Sequence, residues 1–164
     1  MQVAGALIES AEGLLLVCNR RRDGRVDWSP PGGMIDPDDD DLLSGLAREV
    51  FEETHLHVAE WSSPCYSVSA IHEELGWHLK VEVYRALSVT GTLHVDDPDR
   101  VVIEARYFRD AALLQQLALA PRWVREPLTE WMRSRGTGGI SLEFEYRVSG
   151  SAMHNFTVEP HVGG

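Results

Sequence analysis

The chain has few cysteines, few basic residues and no long apolar run, and each shortage argues against a class of protein. Its two cysteines, Cys18 and Cys65, are too few and too far apart for a disulfide framework, so we expect both to be reduced. Only 15 Lys and Arg oppose 26 Asp and Glu, and the net charge of −11 argues against binding to a nucleic-acid polymer or an anionic membrane. No apolar stretch approaches the roughly 20 residues of a membrane span, and the N-terminus lacks the basic start of a secretion signal. We therefore expect a cytoplasmic protein.

The 164 residues, 43% of them apolar, are enough for one domain with a packed core. Apolar runs over 3–8 and 14–18 flank a polar, glycine-containing segment and predict an N-terminal hairpin. The segment 27–33 contains two prolines and two glycines and predicts a rigid turn, because proline suits neither a helix interior nor a central strand. Apolar residues then recur at helical spacing from Leu43 to Thr54, and any of the aspartates before Leu42 could cap this helix.

The second half of the chain predicts mostly strands, followed by helices and a hairpin. Segments 58–61, 67–71, 78–87 and 101–108 have strand composition. Asp110 is expected to cap a helix over 111–119, and Pro121 or Pro127 to open another that ends near Gly136. After a glycine-rich linker, alternating residues over 140–148 and a turn at 149–151 predict a terminal hairpin. We expect a domain over 1–136, extended by a linker and hairpin over 137–164, whose strand edge could support a homodimer.

Three glutamates on the first predicted helix are the strongest candidate site. At about 100° per residue, Glu49 and Glu53 lie one above the other and Glu52 lies beside them, at the margin of the buried stripe. Like charges at this spacing destabilise a helix by roughly 0.2–0.5 kcal/mol, which favours a bound cation. Oxygen ligands suit Mg²⁺ or Mn²⁺, and Arg48 is placed to hold the Glu52 carboxylate. A solvated charged face is the alternative that the helix alone leaves open.

The stretch 33–56 resembles the signature of the Nudix hydrolases, G-x5-E-x7-R-E-U-x-E-E-x-G-U, where U is apolar. Gly33 matches its first position, the segment Arg-Glu-Val-Phe-Glu-Glu at 48–53 matches the catalytic part, and Leu56 matches the closing apolar residue. Trp28 before Pro-Gly-Gly and the Tyr-Phe pair at 107–108 are also placed as the family commonly has them. The weaker similarity of strand and helix order extends to about residue 132, so the resemblance leaves out the last hairpin.

The sequence departs from this signature at three places. The spacing between Gly33 and Arg48 is one residue longer, Asp39 or Asp40 replaces the midpoint Glu, and His55 replaces the last Gly. The first two changes fall in a loop and a first helical turn, where a shorter carboxylate can still reach a cation or cap a helix. His55 predicts a strained or shifted helix end, because glycine is the residue best suited to the left-handed conformation found there.

The resemblance implies an α/β fold, with a mixed sheet sandwiched between helices, and a metal-dependent hydrolase. The implied substrate is a nucleoside diphosphate derivative, such as a nucleoside triphosphate, a dinucleotide or a nucleotide sugar, whose pyrophosphate linkage is cleaved by metal-activated water. By position, the implied ligands of Mg²⁺, or of Mn²⁺, are Glu49, Glu52, Glu53 and the carbonyl of Gly33. Arg48 would orient the carboxylates. If the general base is not Glu52 or Glu53, it could come from a loop, since the family sometimes uses a Glu before its late strand or helix, and Glu104 and Glu74 are the candidates.

Three weaker features of the sequence each allow two interpretations. Gly45, at a helical cost of about 1 kcal/mol relative to Ala, either leaves room for the diphosphate or is a tolerated surface glycine. Three tryptophans either stack on a nucleobase or belong to the core: Trp28, Trp77 and Trp123. Four arginines either steer phosphates or form a solvated loop: Arg20, Arg21, Arg22 and Arg25.

Two other functions stay open. One is a nucleotide-binding sensor that does not cleave its ligand, which His55 and the altered loop motivate. The other is a diphosphate isomerase of the isopentenyl kind, which shares fold and metal but needs a reactive cysteine in a motif that is not found around Cys65.

Overall fold

The computed structural model describes residues 1–135, 140–151 and 156–161. Within these ranges the chain forms ten strands and three α-helices. The strands are β1 (Gln2–Leu7), β2 (Glu9–Ser10), β3 (Gly13–Arg20), β4 (Val26–Ser29), β5 (Gly32–Met34), β6 (His57–His72), β7 (Trp77–Thr90), β8 (Val102–Phe108), β9 (Leu142–Ser149) and β10 (Thr157–Pro160). The helices are α1 (Leu42–Thr54), α2 (Asp110–Gln116) and α3 (Arg122–Ser134), and a 3-10 turn, Leu117–Leu119, follows α2.

Two sheets organise these strands. The larger is a six-stranded mixed sheet in the order β10-β9-β6-β7-β1-β5, in which β1 runs parallel to β7 and β6 runs parallel to β9. In the smaller sheet β3 pairs with β2, β4 and β8. The fold therefore has the expected mixed α/β architecture.

Helices cover both faces of the larger sheet. On one face, Leu46 and Val50 of α1 pack on Ala4 and Ala6 of β1. On the other face, a second core cluster joins Leu128 and Trp131 of α3 to inward residues of the sheet: Leu7, Tyr66, Val68, Ala70, Val83, Tyr146 and Val148. We call this cluster the α3-side core. This alternation of neighbouring β1 residues between two cores confirms the predicted sandwich.

Helix α1 forms where the sequence predicts it. Asp41 is its N-cap, and the Asp41 carboxylate accepts a hydrogen bond from the Ser44 amide at 2.7 Å. The helix ends at Thr54, and His55 follows with φ 61° and ψ 15°, in the left-handed region. The end is therefore not shifted, and His55 takes the conformation in which a side chain is disfavoured.

The predicted N-terminal hairpin is wrong, because β1 and β3 belong to different sheets. Four consecutive β1 residues, 4–7, are buried, so both faces of β1 are covered, and its two edges pair with β5 and β7. Only the two residues of β2 form the expected antiparallel hairpin with β3. The predicted turn over 27–33 is also too long. Its first residues lie in β4 and its glycines in β5, an edge strand that leaves Pro30 and Pro31 alone as the connection.

Other boundaries also differ from the predictions. The segments 58–61 and 67–71 belong to one strand, β6, whose pairing is irregular around Pro64. The N-cap of α2 is Arg109, with no side-chain capping bond, so Asp110 lies in the first turn and does not cap the helix. Helix α3 begins after Pro121, and Pro127 lies inside it.

The predicted C-terminal hairpin is present. Strands β9 and β10 pair in antiparallel register, and β9 also pairs with β6, which adds the hairpin to the larger sheet. The predicted linker at 136–139 lies outside the described residues. No described helix combines the length and the apolar character needed to span a bilayer.

Candidate active site on helix α1

Arg48 is the centre of the charged cluster on α1. Its Nε and Nη2 atoms donate to the two carboxylate oxygens of Asp39 at 2.9 and 3.0 Å. Its Nη1 atom donates to Glu49 Oε1 at 3.1 Å and lies 3.3–3.4 Å from both oxygens of Glu52. The hydrogen bonds that Arg48 donates to Asp39 are the main reason why the pKa of Arg48 is raised above its usual range. Arg48 thus contacts two of the three helix carboxylates.

Asp39 occupies the position of the midpoint acid, and Gly45 makes room for it. The Asp39 side chain is only 10% exposed, its Oδ2 accepts from the Asp36 amide at 2.9 Å, and its pKa is lowered by the bond from Arg48. A Cβ on Gly45 would approach Asp39 Oδ2 to 2.5 Å and Ile35 Cδ1 to 3.0 Å. Gly45 is buried, so it is not a surface glycine, and the group that fills the space beside it is Asp39.

Gly33 lies directly against Glu49. A Cβ on Gly33 would approach the Cδ and Oε2 atoms of Glu49 to 2.6 Å. Gly33 pairs with Ala4 of β1, which lies under α1, so the sheet register brings this glycine beneath the helix. Burial raises the pKa of Glu49, and the charge of Arg48 opposes that rise.

Glu53 is the most enclosed carboxylate of the cluster. It is 9% exposed, and its Oε2 accepts a hydrogen bond from the Gly32 amide at 3.1 Å. Burial raises its pKa to about 8. The bond from Gly32 lowers it, and the negative charges of Glu49, Asp97 and Glu52 add to the rise. Among the described residues no cation lies within ion-pair distance of Glu53, so at neutral pH this group needs a proton or a bound cation.

Asp97 is the site residue that the sequence analysis missed. It lies in the loop 91–101 between β7 and β8, and its Oδ2 accepts from the amides of Val101 and Val102, each at 2.9 Å. Its Oδ1 accepts from the Asp99 amide at 3.3 Å. The run of aspartates at 96–99 before a predicted strand was the available signal, but the sequence does not reveal that this loop folds back on α1.

Glu104 does not join the helix carboxylates. It lies on β8, forms an ion pair with Arg106, and shares a strand face with Phe108 of the α3-side core. Ala105 and Tyr107, on the opposite face of β8, pack against the core cluster that contains Leu46 and Val50 of α1. Alternation along β8 therefore directs Glu104 away from Glu53.

Glu74 and Cys65 also lie elsewhere in the fold. Glu74 is in the exposed turn between β6 and β7, and Cys65, on β6, packs against the α3-side core, across the sheet from α1. Trp28, Trp77 and Trp123 pack against that same core, with Trp28 edge-on to Phe108 at 5.2 Å between ring centroids.

Two members of the arginine cluster are neutralised within the β3–β4 hairpin. Arg21 pairs with Asp27 and Arg25 pairs with Asp23, each at 2.6 Å. The cluster is thus less positive than its sequence indicates.

The donor set suits a hard divalent cation. Carboxylate oxygens and a backbone carbonyl are ligands that Mg²⁺ and Mn²⁺ prefer. Within the described ranges no three Asp, Glu, His or Cys side chains converge on one point, and Arg48 engages both Glu49 and Glu52. A cation held by all three glutamates would therefore replace the guanidinium at Glu49 and Glu52, while Glu53 has no such partner to exchange.

Known structures share this fold. At 22% identity, the E. coli ORF135 protein superposes over 83% of this chain and 91% of its own, with a TM-score of 0.67. A MutT NUDIX hydrolase from Burkholderia pseudomallei gives 25% identity, coverage of 77% and 94%, and a TM-score of 0.62. The NUDIX domain of Shewanella oneidensis NrtR, crystallised with ADP ribose, gives 22% identity, coverage of 82% and 87%, and a TM-score of 0.64.

No curated protein matches the chain in sequence. The family model described as NUDIX domain matches residues 1–132, which include both sheets up to β8 and the whole Arg48 cluster. The chain therefore belongs to the Nudix hydrolase family.

Proposed function

We propose that the chain hydrolyses the pyrophosphate linkage of a nucleoside diphosphate derivative, with Mg²⁺ as cofactor and Mn²⁺ as an alternative. The observation that carries the proposal is Glu53, a buried carboxylate with no cationic partner in the described part of the chain, beside two carboxylates that one arginine orients. A solvated charged face would not bury a carboxylate in this way.

The three helix carboxylates and the Gly33 carbonyl are the proposed metal ligands. When bound, Mg²⁺ would neutralise phosphate charge and make water a stronger nucleophile. Arg48, which donates two hydrogen bonds to Asp39, keeps Glu49 and Glu52 on the same edge of α1. The lack of a side chain at Gly33 lets the Glu49 carboxylate lie on β5.

Glu53 is the residue best suited to exchange a proton near neutral pH. Its pKa of about 8 in the metal-free protein lies close to neutral pH, where proton exchange by a positioned side chain is most effective. Gly32 engages Oε2, which leaves Oε1 as the atom that can carry the proton. Asp97, held in place by three backbone amides, adds a fixed negative charge on this side of the site. Glu104 as general base stays a prediction that its position does not favour.

The proposed partner is a small molecule. A related NUDIX domain was crystallised with ADP ribose, which makes ADP-ribose a suitable first substrate to test. Both cysteines are free thiols, which suits the reducing cytoplasm. Pairing of two β10 strands, at the edge of the larger sheet, is the proposed route to a homodimer.

The test is a hydrolysis assay with Mg²⁺ on ADP-ribose, nucleoside triphosphates, dinucleotides and nucleotide sugars, with product identified by chromatography. The parent chain is expected to release a nucleoside monophosphate or phosphate from at least one of them. Glu53→Gln is expected to reduce the rate by about a hundredfold or more, while Glu60→Gln, at an exposed site on β6, retains the parent rate. Equal rates for parent and Glu53→Gln would refute the assigned roles.

A nucleotide sensor is the other outcome to examine. Arg48 already neutralises two of the three carboxylates, which would suit a chain that binds a nucleotide without turnover. A nucleotide that raises the thermal midpoint, with no product after hours in the presence of Mg²⁺, would favour the sensor.

A further inference from the structure

Positive backbone φ values in side-chain-bearing residues occur at two places in the described part of the chain, one in the loop 91–101 and one in contact with it. His55, which precedes β6 and contacts this loop, has φ 61°, and Arg100 has φ 56°. The loop itself begins at Gly91 with φ 102°. Left-handed backbone is disfavoured for residues with a side chain. His55 therefore keeps its side chain against the local backbone preference, which indicates that the side chain makes a useful contact.

That contact joins the end of α1 to the loop. His55 Nδ1 lies 3.0 Å from the carbonyl oxygen of His94, and because a carbonyl only accepts, Nδ1 carries the hydrogen. In the opposite direction, the His94 amide donates to the Thr54 carbonyl at 3.0 Å. A Cβ on Gly91 would approach His55 O to 2.9 Å, so the loop also begins in close contact with the helix end.

The loop so held carries Asp97, three residues after His94. The other end of the loop is fixed by Asp97 itself, whose carboxylate accepts from the first amides of β8 and the residue before it. Asp97 is one of the carboxylates whose charge acts on Glu53. A loop anchored on β8 alone could swing away from α1, and the His55 and Thr54 bonds oppose that movement.

We propose that His55 is a positioning residue, whose Nδ1–H bond to His94 holds the loop 91–101, and with it Asp97, against the end of the catalytic helix. The inference rests on the proposed function of that site and deepens it. In this chain the residue that replaces the signature glycine gives up backbone freedom and gains a bond to the loop that carries Asp97.

Two substitutions separate this role from relief of backbone strain. His55→Gly removes both the strain and the donor. His55→Asn keeps a donor, since Asn Nδ2 is as many bonds from the backbone as His Nδ1, and Asn tolerates the left-handed conformation. The control is His57→Asn, because His57 stacks on Phe51 at 4.6 Å, next to His55, and makes no bond to loop 91–101 among the described residues.

Steady-state kinetics with ADP-ribose, or with the panel nucleotide that the parent hydrolyses fastest, form the first arm. His55→Gly is expected to lower kcat about tenfold with little change in KM. His55→Asn and His57→Asn are expected to stay within about twofold of the parent. The thermal midpoint of His55→Gly is expected to equal or exceed that of the parent, because glycine relieves strain. A parent-like kcat for His55→Gly, or equal loss in His55→Asn, overturns the proposal.

Hydrogen exchange followed by mass spectrometry forms the second arm and needs no substrate. Amides of the segment 91–102 are expected to exchange faster in His55→Gly than in the parent, His55→Asn or His57→Asn. Unchanged exchange in His55→Gly overturns the proposal. A parent that hydrolyses no nucleotide of the panel refutes the proposed function, and the exchange arm then decides whether His55 holds the loop.

Discussion

The carboxylate of Glu49 lies where a side chain on Gly33 would begin. The distance from the ideal Cβ position of Gly33 to Glu49 Cδ and Oε2 is 2.6 Å, which is shorter than any tolerated carbon contact. A side chain at this position would therefore displace the Glu49 carboxylate from its place against β5. Its φ is not in the left-handed region, so backbone freedom does not explain it.

Gly33→Ala tests this relationship. The added methyl group is expected to displace the Glu49 carboxylate while the Gly33 carbonyl stays in the β1–β5 pairing, so hydrolysis falls by about ten- to a hundredfold. Circular dichroism and the thermal midpoint are expected to show a folded chain, because β5 is an edge strand. A fully active Gly33→Ala chain would contradict the close contact.

Gly45→Ala has two effects on stability, which act in opposite directions. Helix propensity alone favours Ala by about 1 kcal/mol, but the new Cβ would approach Asp39 Oδ2 to 2.5 Å, and Asp39 is fixed by Arg48. We expect the contact to dominate, with a lower thermal midpoint and a lower hydrolysis rate. Ser44→Ala, at the neighbouring exposed position, is the control and is expected to retain both. A more stable and fully active Gly45→Ala would show that Asp39 is free to move.

The sequence predicts α1 and its carboxylates because that information is local. The helical period, the aspartates before Leu42 and the signature spacing together place Glu49, Glu52 and Glu53 on one edge, and Arg48 contacts Glu52 as predicted. The same local information does not identify long-range partners. That Asp39 would hold Arg48 depends on the loop conformation, and that β1 joins a different sheet from β3 depends on which strands cover its two edges.

Asp97 shows the same limit more sharply. It is 44 residues from Glu53 in the sequence, and contacts made at the end of α1, such as those of His94 with Thr54 and His55, bring its loop to the helix. Glu104 was a reasonable candidate base by position in the chain, but a strand places successive side chains on opposite faces, and Glu104 lies on the wrong one. A one-residue difference in register, which the sequence does not specify, would have reversed that outcome.

The buried Glu53 makes the stability of the metal-free chain depend on pH. An unfolded Glu titrates near its ordinary pKa of 4.5, whereas burial raises the pKa of Glu53 to about 8 in the folded chain. Between these values the folded state holds a proton that the unfolded state has released. The contribution of Glu53 to the free energy of unfolding is therefore fully present below about pH 4.5 and is lost as the pH rises to about 8.

Glu53→Gln removes this dependence. We expect the free energy of unfolding of Glu53→Gln, relative to that of the parent, to increase by more than about 1 kcal/mol between pH 5 and pH 8.5. The measurement is urea denaturation in a metal chelator at several pH values. Ser44→Ala, which changes no titratable group, is expected to differ from the parent by the same amount at every pH. A constant difference for Glu53→Gln would mean that Glu53 is not buried as a neutral acid.

Stabilisation of the chain by Mg²⁺ is expected to increase with pH, whereas the stability of the metal-free chain decreases with pH. A cation binds the ionised carboxylate, so below the pKa of about 8 it must displace the proton of Glu53. If one proton is displaced, the apparent dissociation constant falls by about tenfold for each pH unit between roughly pH 6 and pH 8. At a fixed Mg²⁺ concentration, the rise in thermal midpoint is therefore expected to be larger at about pH 8.5 than at about pH 6, by the linkage between binding and folding.

NaCl at equal ionic strength controls for screening, because screening of a solvated charged face needs no proton release. In Glu53→Gln the Mg²⁺ effect should be smaller and independent of pH. Equal stabilisation of the parent at both pH values, or by NaCl as well as by Mg²⁺, would mean that the three glutamates are a charged surface and not a metal site.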